Sequence, residues 1–251
     1  MLKILPLALL AIALLSAGRA FAVDGQVLVN QAAVLAGGGF PYKITQPGSY
    51  KLSGNLALGV TGAPCGDAID IQSDDVTLDL NGFTISCQSS AGFNGYGVSS
   101  IGFQDVTIAN GSIRGPFNTG VYAWGGSGLI SSIRVSFIGV VGIRAAGGGD
   151  PSVINGGWVV ERCTAVNNND GIAVTDATLV ASVADSNREL GIYALASTVM
   201  NNVANNNGLY GIHAERSIFG GNTFVFNGTS DFDPTSTGQS QKNNACTSGT
   251  C

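Results

Sequence analysis

NNNDGIAVTDATLVASVADS at residues 167–186, NRELGIYALASTVMNNVANN at 187–206 and NGLYGIHAERSIFGGNTFVF at 207–226 are three versions of one 20-residue unit. Asparagine recurs at Asn167, Asn187, Asn207 and Asn227, and a Gly-Ile pair at Gly171-Ile172, Gly191-Ile192 and Gly211-Ile212. Leu179, Val199 and Phe219 fall in register, as do Cys163, Val183, Val203 and Thr223. A fixed period of this kind is the signature of a stacked coil. Within a unit the apolar residues alternate, Ile192 and Ala194 around Tyr193 and Ile212 and Ala214 around His213, which is strand periodicity. Twenty residues are too few for a helix-turn-helix unit and enough for three short strands with bends, so each unit reads as one turn. Stacked turns pair parallel strands at about 4.8 Å and set each residue above its equivalent. The Asn column then reads as an inward amide ladder. The glycines before each Ile suit bends that need positive φ or close backbone approach.

The Gly-Ile-x-Ala strands, the Asn at the bend, and the sister segments Val76-Thr77-Leu78-Asp79-Leu80-Asn81-Gly82 and Val106-Thr107-Ile108-Ala109-Asn110-Gly111 resemble right-handed parallel β-helix proteins, of which the pectin lyase-like superfamily is the best-known group. The resemblance covers residues 49–232 and implies an all-β, right-handed parallel β-helix of seven or eight turns. Its motifs belong to the scaffold, so it specifies fold rather than activity.

The rest of the chain is organised around that coil. Residues 1–22 read as a secretory signal, with Lys3, the apolar run Ile4–Leu15 and an Ala20-Phe21-Ala22 cleavage site. Residues 23–50 read as an N-terminal cap, with a short helix over Gln31–Ala36 capped by Asn30. Residues 51–232 form the coil and 233–251 a polar tail. Gln88–Tyr96 and Ala145–Gly157 are loops interrupting the coil, and such loops can line a binding surface. Gly contributes 37 of 251 residues and charged residues 11%, a balance opposite to that of a disordered chain. Losing Lys3 and Arg19 with the signal takes the formal charge from −5 to −7, which argues against nucleic acid or an anionic membrane as partner. No later stretch approaches membrane-spanning length, so the mature protein is expected to be secreted or periplasmic. Cys65 and Cys87 lie 22 residues apart, about one turn, and suit a disulfide; Cys246 and Cys251 suit a small terminal ring. Cys163 reads as a buried thiol, and no Cys/His spacing suggests a metal site.

The pectin lyase-like resemblance raises polysaccharide lyase or hydrolase activity. Asn169-Asp170-Gly171 matches the polygalacturonase Asn-Thr-Asp only in part, and Gly211-Ile212-His213 is not Gly-His-Gly. There is no Arg-x-Lys and no Asp-rich calcium cluster, and Asp231-Phe232-Asp233-Pro234 shares only Asp-Pro with the alginate epimerases. Searched directly, the regular turns stack no acid on another, since Asp185 falls between Ala165 and Asn205 and Glu161 below Ala181. The nearest pair for two-carboxylate hydrolysis is diagonal, Asp170 with Glu189. His213, the single histidine, falls on an outward column with Tyr193, Ala173, Arg144 and Tyr122, and Glu215 lies on the same side. Rings supply flat apolar faces and Arg, His and Glu supply hydrogen bonds, so this column is a candidate sugar-binding strip. His213 with Glu215 is also a candidate proton relay. The sequence therefore points to an extracellular scaffold that binds polysaccharide or a surface glycan without a cofactor. The alternatives are a lyase or glycoside hydrolase, and self-association through a coil end.

Overall fold

The computed structural model describes residues 25–60, 62–147, 157–241, 243–247 and 249–250. The signal expected over 1–22, Cys251, and residues 148–156 of the loop expected over 145–157 lie outside them. The described chain is a parallel β-helix with three faces. The site face carries nine strands in chain order: Tyr42–Ile44, Ile69–Ile71, Tyr96–Ile101, Thr119–Trp124, Val141–Ala146, Asp170–Thr175, Ile192–Leu195, Tyr210–Glu215 and Ser230–Phe232. A second face runs from Gln26–Val29 to Gln239–Ser240 and a third from Leu56–Leu58 to Ala245–Cys246. Among the described residues every strand pairing is parallel except that of Ala245–Cys246 with Gly249–Thr250.

Each corner of the regular turns is made by one residue in the left-handed region. Asn167, Ser186, Asn206 and Phe226 make one corner; Arg162, Ala181, Asn201 and Gly221 the second; Asp176, Ala196 and Arg216 the third, with φ between 48° and 65°. A non-glycine residue there is strained by about 1 kcal/mol or more, so surrounding bonds must hold it. Side-chain ladders do so. The residue after each corner turns inward, and the side-chain oxygen of its equivalent one turn on accepts its N–H. Asn168, Asn187, Asn207 and Asn227 form one ladder, each amide also donating to the next at 3.0–3.1 Å. Ser182, Asn202, Asn222 and Asn244 form a second, and the Cys163 N–H donates to its first hydroxyl. Ser197 and Ser217 form a third above Ala177.

Two expected columns are corrected by one residue. Asn168, not the exposed Asn167, heads the first ladder, and Cys163 stands below Ser182, not Val183, which pairs with Thr164. The turn from Val159 to Thr178 has 19 residues, whereas that from Ile172 to Ile192 has 20. The missing residue lies between Asn168 and Gly171, where two residues do what three do between Asn187 and Gly191. Glu161 accordingly pairs with Val180 and Asp185 with Val166.

A single core runs along the axis, built from columns such as Ile172, Ile192 and Ile212, and Leu179, Val199 and Phe219. The glycine before each Ile is required by space, not by φ: a Cβ on Gly171 would sit 2.4 Å from the Gly191 carbonyl oxygen and 2.8 Å from the Asn187 amide nitrogen. At the N-terminal end the helix Gln31–Ala36, capped by the Asn30 side chain on the Ala33 N–H, seats Val34 on the core. At the other end the coil does not stop at 232. Gln239–Ser240 and Ala245–Cys246 continue two faces, and Asn244 supplies the last rung of the second ladder. Cys65 and Cys87 form a disulfide with Cα atoms 6.0 Å apart. Cys246 is also disulfide-bonded. Cys163 is a buried free thiol whose pKa burial pushes up to about 11, which suits a packing role rather than a nucleophile. No helix among the described residues is long and apolar enough to cross a membrane.

Candidate functional site

The candidate strip lies on the outward side of the site face, where strand alternation turns every second side chain away from the core. Register places Ser99, Tyr122, Arg144, Ala173, Tyr193 and His213 in one column. Two residues further along each strand, Ile101, Trp124, Ala146, Thr175, Leu195 and Glu215 form a second. Tyr122, Arg144, Tyr193 and His213 are therefore aligned as expected, with Glu215 beside them.

The side chains associate in two groups. In the lower one Tyr96 stacks on Tyr122 with ring centroids 4.5 Å apart, Tyr122 lies parallel to Trp124 at 6.2 Å, and the Arg144 guanidinium sits 5.1 Å over the Trp124 ring. In the upper one Tyr193 stacks on His213 at 5.4 Å. Burial, and then Glu215 beside it, raises the Tyr193 pKa above its ordinary value. Between the groups stands Ala173. Tyr96 and Trp124 were not part of the expected strip. Trp124 is separated from Tyr122 by the inward Ala123, so strand alternation gave the signal for it; Tyr96 stands at the end of a loop, where alternation gives none.

Both ring nitrogens of His213 are bonded to carboxylates. Its Nδ1 lies 2.5 Å from Oδ2 of the nearly buried Asp233, and its Nε2 lies 2.9 Å from Oε1 of Glu215. Asp233 also accepts the Thr235 N–H and hydroxyl, both at 2.8 Å. Burial opposes a charged imidazole, but the bonds to Asp233 and Glu215 outweigh it and raise its pKa above 6.5. Burial likewise opposes a charged Asp233, and the bonds from His213 and Thr235 outweigh it and hold that carboxyl below 3.8. The pair staples the segment after Phe232 to the last regular turn, and the His213–Glu215 contact expected of a proton relay is present at 2.9 Å.

The staple carries a pH dependence with a definite sign. The raised His213 contributes stability that is complete below pH 6.5 and is lost as pH rises through its folded-state value. The lowered Asp233 contributes stability present above pH 3.8 and lost as pH falls through its own. The thermal midpoint is expected to fall as pH rises from 6 to 9. His213→Gln should remove that slope. A slope identical in the parent and in His213→Gln would mean that the pair holds nothing.

The candidate carboxylate pair is less well formed than the strip. Asp170 accepts the Leu190 N–H at 3.1 Å through Oδ1. Burial raises its pKa above the ordinary carboxylate range, the Leu190 bond opposes that, and the charge of Glu189 adds to it. Glu189 is exposed. Among the described residues no three His, Cys, Asp or Glu side chains converge to hold a metal ion. The chain matches no protein-family model, no curated protein and no solved structure.

Proposed function

We propose that the chain is a secreted or periplasmic β-helix protein, of the right-handed pectin lyase-like kind, that binds polysaccharide along its aromatic face without cleaving it. The observation that carries this reading is the outward row of Tyr96, Tyr122, Trp124, Arg144 and Tyr193 on consecutive and near-consecutive strands. Between the Tyr122 and His213 strands the row extends four strand spacings, about 19 Å at about 4.8 Å each, a length suited to an extended chain ligand. Aromatic planes and a guanidinium are the groups that stack on sugar C–H faces and bond their hydroxyls. The Cys65–Cys87 disulfide fits an oxidising compartment. His213 is held between the carboxylates of Asp233 and Glu215, which fits a structural role for it. One observation favours the enzyme alternative: the raised pKa of Asp170, a property of general acids in glycoside hydrolysis.

The test replaces Tyr122 and Tyr193 together by alanine and leaves the structural His213 in place. Affinity electrophoresis through gels containing neutral polysaccharides should show retention of the parent weakened about 30-fold or more, since a central aromatic contact is worth about 2 kcal/mol. The far-ultraviolet circular dichroism should not change. Retention equal to the parent's would remove the strip from the account.

A further inference from the structure

The row of planar side chains is interrupted at Ala173. We infer that one pyranose ring of a neutral glycan inserts between Arg144 and Tyr193, over Ala173, and this rests on the glycan-binding reading above. In the column Tyr122, Arg144, Ala173, Tyr193, His213, Ala173 alone carries no planar group. Arg144 and Tyr193 stand two strand spacings apart, about 9.6 Å. A flat ring needs about 3.5–4 Å on either side, so one ring fits there and two do not.

The surroundings of the gap specify the ring. The face of Tyr193 away from His213 looks onto the Ala173 methyl, an apolar platform for the C–H face of a sugar. Arg144, leaning over Trp124, offers donors from the other side. Thr175 stands two residues after Ala173 on the same side of the strand and offers a hydroxyl to the ring. The carboxylates of Glu215 and Asp233 offset the guanidinium groups of Arg144 and Arg216 around Tyr193 and His213, so no surplus positive charge is left to hold a uronate and the site suits an uncharged hexose or pentose ring.

Ala173→Tyr tests this by filling the gap with a ring from the chain itself, which continues the stack. The probes are hexasaccharides of β-linked glucose, mannose, galactose and xylose, with a galacturonate hexasaccharide as the charged comparison, titrated calorimetrically. The parent is expected to bind at least one neutral probe and to bind the galacturonate probe at least tenfold more weakly. Ala173→Tyr should lose at least tenfold in affinity with an undiminished thermal midpoint, and Val183→Tyr, on another face, should lose nothing. Should Ala173→Tyr fail to fold, Ala173→Leu blocks the gap with less bulk and must show the same loss. Undiminished binding by the folded blocking variant, with binding lost in the Tyr122→Ala/Tyr193→Ala protein, would overturn the slot and leave the binding face standing. Binding of the galacturonate probe alone would overturn the neutral-ring assignment. A parent that binds none of the probes would overturn the face and the slot together.

Discussion

Asn207→Ala is expected to destabilise the protein by about 3–5 kcal/mol, in the range reserved for broken buried networks. The Asn207 Oδ1 accepts both the backbone N–H and the side-chain amide of Asn187, and its own amide donates to the Ala184 carbonyl and to Asn227, all at 3.0 Å. Alanine leaves two buried donors of Asn187 and one carbonyl without their partner, and water cannot replace it inside a packed corner. The neighbouring Asn206 makes the comparison. It is exposed, makes the corner itself with φ 55°, and bonds Asp185 at the surface. Asn206→Gly keeps the left-handed conformation accessible and should change stability by about 0.5 kcal/mol or less. Urea denaturation of the two variants measures both. Equal effects at Asn206 and Asn207 would show that the ladder does not hold the corners.

Gly191→Ala is expected to cost about 2–4 kcal/mol although it adds one methyl group. That methyl would stand 2.5 Å from the Asn207 amide nitrogen, 2.7 Å from the Gly211 carbonyl oxygen and 2.9 Å from the Ala204 Cβ. None of these atoms is the free end of a flexible side chain, so the strand or the ladder must shift. Gly66→Ala adds the same methyl where nothing lies within 4 Å and φ is not positive, and should be neutral or slightly stabilising. Unfolding midpoints in urea distinguish the two. A Gly191→Ala protein as stable as the parent would show that the Gly-Ile period is not set by packing.

The parallel coil was legible because its cause is periodic: Gly171, Gly191 and Gly211, and Leu179, Val199 and Phe219, repeat where the same contact repeats. The ladder was legible in kind but displaced at one end. The run Asn167-Asn168-Asn169 offers three amides, and only the 19-residue turn selects Asn168. The second ladder was equally periodic at Ser182, Asn202 and Asn222 but changes residue type, so identity of letters concealed identity of role. The outward column was read correctly because strand alternation and period together fix it. What spacing does not contain is how side chains lean. That Arg144 covers Trp124 while Tyr193 pairs with His213 follows from the three-dimensional fit of each ring to its neighbours. The partner of His213, Asp233, lies 20 residues on and one residue past Phe232, where the coil is expected to end, so the period alone does not reveal their pairing.

Binding without cleavage is tested most directly by incubating the purified protein with neutral and uronic polysaccharides, with and without calcium. Retained protein and the length of the recovered polysaccharide are then measured together, the latter by mass spectrometry. The expected result is retention by at least one neutral polysaccharide whose chain length is unchanged, with or without calcium. Shortened or unsaturated products from any substrate would contradict the account, and would make Asp170 and Glu189 the first residues to replace.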